Sequence, residues 1–300
     1  MSLHRACLGT ALAAAALLGS GCRKPAQGPQ YPITPRLVHG FPAVYHDGPI
    51  ELGLAWELAA DCPPLPRLRA FVHFVDPQAH QVRYFYDHDP PLPTEQWQPG
   101  TTVRYDLLSF LEGVEYTGPL EIWVGLHDPK QVRRRAQLQG EARGKRHDAY
   151  AIGRLEFRAA SQRFLPLYKA GWYEPESAPG LGEWRWTSPH SVASFKAPGR
   201  RATLYLKLSF PTREIGAPQS LRVRHNDQTL AQIERSDPAP FIAKVAVPAE
   251  LAAAQSWFDI ALEAEPAFRP SLRGPSADTR ELGVKVHHLF LRPSSEDGGS

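Results

Sequence analysis

In Pro119-Leu120-Glu121-Ile122-Trp123-Val124-Gly125-Leu126-His127-Asp128, aliphatic side chains fall on alternate residues from Leu120 to Leu126. A repeat of two puts Leu120, Ile122, Val124 and Leu126 on one face and Glu121, Trp123 and His127 on the other, which suits a half-buried strand and no helix. The same alternation runs through 203–210, where Leu204, Leu206 and Leu208 are interleaved with Tyr205 and Lys207. Further strands are expected at 49–58, 68–76, 81–86, 101–109 and 149–157, and then at 221–224, 241–247, 258–263 and 284–291. A single short helix fits 248–255, with Pro248 in its first turn. Across His287-His288 the apolar phase slips, from Val284 and Val286 to Leu289 and Leu291, and a β-bulge explains the slip. Proline, at 30 of 300 residues, is about twice its usual share, which favours short strands joined by rigid turns. A chain of this length has room for two modest cores. The expected fold is therefore all-β, with an immunoglobulin-like antiparallel sandwich over 37–160, a jelly-roll-like sandwich over 161–293 and a frayed polar tail over 294–300.

The first 22 residues carry His4 and Arg5, then an apolar run from Cys7 to Leu18, then Gly19-Ser20-Gly21 before Cys22. Such a segment reads as an export signal, and its apolar run is too short to cross a bilayer. Its end resembles the lipobox of bacterial lipoproteins, although Leu18 stands four positions before the cysteine, where the commonest pattern has three. That resemblance implies cleavage before Cys22 and acylation of its thiol, and the absence of Asp just after it implies the outer membrane. Residues 23–36, polar and proline-rich, read as a flexible tether. With Cys7 removed and Cys22 acylated, only Cys62 remains of the three cysteines, so no internal disulfide is expected. A net charge of +3 is too small to attract nucleic acid by field alone.

Three constellations stand out. In Asp87-His88-Asp89, followed by a proline-rich run to Trp97, two carboxylates flank an imidazole. They bind a hard metal ion, serve as an acid and base pair, or accept bonds from turn amides and fix a rigid connection. No spaced ligand set completes a metal site, and no metal or cofactor is expected. Trp172 and Tyr173 precede Trp184-Arg185-Trp186, whose two indoles share one side of a strand. Turned inward, these rings fill a core; turned outward, they form a platform for sugar faces, with Arg185, Glu174 and Glu176 nearby for hydroxyls. Lys130, Arg133, Arg134, Arg135, Arg143, Lys145 and Arg146 form a basic span, either a solvated loop or a contact for phosphorylated lipid or acidic glycan. No nucleophile elbow, phosphate-binding glycine loop, zinc helix or paired-cysteine motif occurs in the sequence.

The motifs Phe71-Val72-His73-Phe74-Val75-Asp76, Asp87-His88-Asp89-Pro90-Pro91, Gln96-Trp97 and Val124-Gly125-Leu126-His127-Asp128-Pro129 resemble those of a family of exported bacterial lipoproteins with this two-part layout. Gly171-Trp172-Tyr173, Trp184-Arg185-Trp186 and Asp278-Thr279-Arg280-Glu281-Leu282-Gly283-Val284 continue the resemblance. The last motif is also similar to one in sandwich domains attached to polysaccharide-synthesis and glycosyl-transfer proteins. Asp278 and Arg280 are close enough to pair at the turn into the last strand. The resemblance brings no catalytic residues. Together these features lead us to expect a non-catalytic envelope lipoprotein that binds a polysaccharide through Trp172, Tyr173, Trp184, Arg185, Trp186 and Arg280. An envelope-protein scaffold, and an enzyme using Asp87 or Asp89 on envelope polysaccharide, are the alternatives.

Overall fold

The computed structural model describes residues 28–294, except 114–115, 140–142, 147, 160, 162–163, 180–181 and 254–255. The expected signal segment and Cys22 lie outside the described residues, as does all but the first residue of the polar tail. Among the described residues no helix is long and apolar enough to cross a membrane.

The protein is all-β. Strands Ile33–Gly40, Pro49–Leu58 and Thr102–Phe110 form one antiparallel sheet with Pro49–Leu58 in the middle. Facing it is a larger sheet, ordered Arg143–Arg146, Ala149–Arg158, Gly118–Asp128, Arg69–Asp76, Gln81–His88. The short strands Ala43–Tyr45 and Gln131–Arg135 join the larger sheet on Ala149–Arg158 and Gly118–Asp128. One core lies between the two layers: Leu52, Leu54 and Trp56 meet Val72, Phe74, Leu120, Ile122 and Val124. The aliphatic alternation of 120–126 therefore points inward, leaving Trp123 on the open side.

Extended tethering does not continue to residue 36. The backbone pairs from Gln30 onward, with Gln30 and Tyr31 parallel to Gln137 and Leu138, and Ile33 fully buried opposite Leu58. Pro32 and Pro35 suggested a tether, but an edge strand accommodates proline because one row of its amides has no sheet partner.

The strands after residue 166 make two further sheets. One is ordered Leu167–Tyr168, His190–Lys196, Trp257–Glu265, Gln219–His225, Gln228–Arg235. The other is Glu176–Ala178, Gly182–Trp186, Lys285–Pro293, Ala202–Ser209, Phe241–Val247. Leu204, Leu206, Leu208, Phe195, Leu221, Ile260 and Val286 fill the space between them. The register of the last strand against Ala202–Ser209 slips between Lys207 and Leu208, opposite His288 and Val286, so the expected bulge leaves His287 unmatched.

Pairing also sorts the loops of the first set of sheets into two ends. Residues 33, 58, 69, 88, 102 and 127 meet at one end, joined by the loops 59–68 and 89–101 and the turn at Pro129-Lys130. The chain reaches its first strand at this end. The opposite end carries Phe41, Tyr45, Leu108 and Phe110, which pack on Tyr205, Phe290 and Ile242 of the later strands. There Lys244 Nζ lies 2.7 Å from Glu51, Lys207 pairs with Glu112, and the Arg292 guanidinium sits 3.6 Å over the Phe41 ring. The later strands are thus docked at the end remote from the chain's N-terminal approach.

Candidate functional site

The open face of the larger sheet holds the most distinctive surface chemistry. Ala70, Val72 and Phe74 of strand Arg69–Asp76 point into the core, so Phe71, His73 and Val75 point out. Register then places Phe85, His73 and Trp123 in one row across three strands, with Asp87, Phe71 and Gly125 in the next and Arg69, His127 and Arg135 beyond. Directly opposed residues share a face, so each row is a line of neighbouring side chains.

In the first row Phe85 is 64% exposed, and the half-buried His73 ring meets it edge-on at 6.3 Å. The Trp123 indole is half-buried, and its Nε1 donates to Glu121 at 3.1 Å. Two strand spacings separate Phe85 from Trp123, about 10 Å, which is the span of a disaccharide. Burial, followed by the nearby Arg135 charge, depresses the His73 pKa to about 4, so at neutral pH this ring is uncharged and the three aromatic groups of the row carry no formal charge.

Charged groups border the row on both sides. On one side Asp87 Oδ2 lies 3.5 Å from Nε2 of His127, a ring only 2% exposed, and the Arg135 guanidinium covers Phe71 at 4.6 Å. On the other, Glu121 accepts from Arg154 at 2.7 Å. Rings that stack on the C–H face of a sugar, flanked by carboxylates and guanidinium groups that bond its hydroxyls, are the elements of a carbohydrate surface.

Gly125 sets the height of this surface. A Cβ there would come within 2.4 Å of Phe71 Cζ and 2.9 Å of the Asp148 carbonyl oxygen, so the ring lies where a side chain would otherwise be. Gly125→Ala is expected to destabilise the protein by about 1–3 kcal/mol through overpacking, read as a lower midpoint in urea with unchanged slope.

Of the residues singled out from the sequence, Asp87 lies on this face. His88, next along the strand, points to the opposite side, with Nε2 2.9 Å from the Tyr105 hydroxyl. Asp89 is exposed, 3.7 Å from Arg67 and 3.8 Å from Arg69. Trp97 is buried beside Trp56 and donates from Nε1 to the Leu92 carbonyl. The four side chains do not converge. Among the described residues no group of three or more His, Cys, Asp or Glu side chains is arranged to hold a metal ion. Cys62 is a buried free thiol, its pKa raised by burial and by Asp61.

The second aromatic set does converge, largely on itself. Trp184 and Trp186 share the outer face of their sheet, with Lys285 Nζ between them, 4.3 and 5.0 Å from the two ring centroids. Trp184 donates to Glu176, and Trp186 meets Phe268 edge-on. Arg185 points the other way, over Tyr168, and donates to the Tyr173 carbonyl. Trp172 donates to the Val192 carbonyl at 2.8 Å and packs on the core. Arg280 covers the Tyr173 ring and is held by Asp278 and Glu176, and its hydrogen bond to Asp278 is the main cause of its raised pKa. The indole N–H groups of Trp172 and Trp184 are satisfied within the chain, and the cationic side chains present are already engaged.

The row of Phe85, His73 and Trp123 is absent from the sequence-based site. Alternation alone puts Trp123 and His127 on the open side, and the same rule applied to 71–75 and 85–87 would have found the rest. What it cannot supply is the register that aligns three strands.

No protein-family model and no curated protein sequence matches the chain. Solved structures to which it is similar include the catalytic domain of ZmpB with its two CBM51 domains from Clostridium perfringens, at 9% identity and a TM-score of 0.29, covering 88% of this chain and 31% of that one. Another is the SGBP-B protein of the Bacteroides ovatus mixed-linkage glucan utilization locus in complex with a heptasaccharide, at 8% identity and 0.29, covering 86% and 53%. A third is a β-glucosidase from Listeria innocua in complex with glucose, at 10% and 0.27, covering 43% and 16%. The chain spans less than two thirds of each, and at these scores the reading of the site rests on its own side chains.

Proposed function

We propose that this protein is a lipid-anchored component of the cell envelope, attached to the outer membrane through Cys22. In this reading it binds a polysaccharide without transforming it, on the row formed by Phe85, His73 and Trp123. The observation that carries the binding surface is the exposed Phe85 ring, aligned by register with two further half-buried rings and bordered by charged groups. A contiguous apolar patch rimmed by polar groups marks a contact surface. The surface is open; of its two bordering carboxylates Glu121 is engaged by Trp123 and Arg154, and Asp87 lies 3.5 Å from His127 Nε2 on the other side of the row. A binding role suits that arrangement better than hydrolysis, which needs an acid and a base across a scissile bond.

The test is a glycan array probed with the chain from Arg23 onward, which retains every described residue, beside its Phe85→Ala variant. Retention on a polysaccharide that the variant no longer binds is the expected result. Binding of no glycan, or equal binding by both proteins, would sink the reading, and retention of an envelope protein alone would favour a scaffold. The anchor is tested separately by palmitate labelling in a bacterial host, which Cys22→Ser should abolish.

A further inference from the structure

The chain approaches its fold beside a basic surface. Gly28 lies against the Arg135 carbonyl, so close that a Cβ could not be accommodated, and the Gln137 amide donates to the Pro29 carbonyl at 2.8 Å. Strand Gln131–Arg135 therefore runs next to residues 28–31, and its turn presents Lys130, Arg133 and Arg134 to solvent. Strand Arg143–Arg146, with three more basic residues, pairs with residues 149–151 of Ala149–Arg158 at the same end of the sheet. The acids described at this end are Glu57, Asp61, Asp87, Asp89, Glu95, Asp128 and Asp148; Glu57 pairs with Arg36, Asp87 lies near His127, Asp89 is near Arg67 and Arg69, and Asp128 accepts from the Lys130 amide. Cations are in excess there.

From this juxtaposition the geometry points to an interaction surface for anionic lipid headgroups, formed by Lys130, Arg133 and Arg134. It rests in part on the anchor reading. Six peptide units separate Cys22 from Gly28, so a lipid on Cys22 holds the basic end within about 20 Å of the bilayer. Arg23 and Lys24 add charge at the membrane itself. A tether of that length lets the basic end reach the bilayer, and basic residues in contact with it bind anionic headgroups additively, about fivefold in affinity for each. The later strands, docked at the opposite end, then stand farthest from the membrane, and the aromatic row lies on the flank between. A free acidic polysaccharide would also be attracted by these charges, but nothing in its chemistry requires them beside the point of attachment.

The experiment uses the chain from Arg23, without acyl groups, and sedimentation with vesicles of phosphatidylcholine alone or with 30% phosphatidylglycerol. Binding is expected to the anionic vesicles only and to disappear at high salt. Changing Lys130→Gln, Arg133→Gln and Arg134→Gln together should weaken it about a hundredfold with an unchanged circular dichroism spectrum. Phe85→Ala should leave it intact, which separates this surface from the glycan row, and palmitate labelling judges the anchor independently. Equal binding to neutral vesicles, no binding to either, or an unaffected triple variant would overturn the proposal. So would tighter binding of soluble polygalacturonate than of anionic vesicles, lost in the same triple variant.

Discussion

Phe85→Ala is expected to weaken polysaccharide binding at least tenfold, and Phe85→Ala with Trp123→Ala to abolish it, while the single variant unfolds within about 0.5 kcal/mol of the parent. The reasoning is that Phe85 is 64% exposed on an edge strand, so its ring contributes little to the fold. The ring is not isolated but continuous with His73 and Trp123 in a row rimmed by charged groups, which is the form an apolar contact surface takes. In a bound complex that ring would be covered, and central aromatic anchors are typically worth about 2 kcal/mol or more. Trp184→Ala is the informative contrast. Trp184 is 8% exposed, bonded to Glu176 and covered by Lys285, so its loss should cost about 3 kcal/mol of stability and leave the affinity of the folded fraction unchanged. Isothermal titration together with urea denaturation separates the two effects. Loss of affinity in Trp184→Ala with no loss in Phe85→Ala would move the binding surface to the second aromatic set.

Many strands were legible where large apolar side chains recur at every second residue, whereas His190–Lys196 and Gln228–Arg235, in which small or polar residues interrupt that repeat, were not expected. Pro49–Leu58 and Phe241–Val247 begin and end where alternation placed them, and Ala149–Arg158 runs one residue longer. The bulge at His287 was legible too, because a one-residue slip exchanges inside for outside and so leaves a visible phase change. Strand Ile33–Gly40 was hidden by its prolines, and Gln131–Arg135 by its charge, since both lie at sheet margins where exposed backbone and polar side chains mimic a loop. The site was harder for a different reason. Asp87, His88 and Asp89 look like one constellation in sequence, but consecutive strand residues face opposite ways, so Asp87 and His88 are separated by the sheet itself. Conversely Phe85, His73 and Trp123 are far apart in the chain and adjacent only through register.

Acid should destabilise this protein well before its carboxylates titrate. Burial is the first cause of the low pKa, about 4, of His73, His88 and His287, against 6.5 for free imidazole. Neighbouring cations add to the effect: Arg135 at His73, Arg69 at His88, and Lys207 and Lys285 at His287. Above pH 6.5 these rings are neutral in both folded and unfolded chains, and the stability is fully present. As pH falls below 6.5 the unfolded chain takes up protons that the folded rings refuse until about pH 4, so stability is lost across that window. Each ring contributes up to about 1.4 kcal/mol per pH unit. From pH 7.5 to 5 the three together amount to about 6 kcal/mol, and screening at the partly exposed sites reduces this to about 3 kcal/mol, or a fall in Tm of about 10 °C. Glu112, held at about 2 chiefly by its hydrogen bond from His288, titrates in a lower window, between the ordinary 4.5 and 2, and does not blur the measurement. His88→Gln, which can still bond the Tyr105 hydroxyl, should remove about a third of the slope. A Tm that is level between pH 7.5 and 5 would show that these rings are not held neutral by the fold. Because His73 stays uncharged in the folded protein down to about pH 4, sugar binding on the aromatic row should be nearly constant over the range in which stability declines.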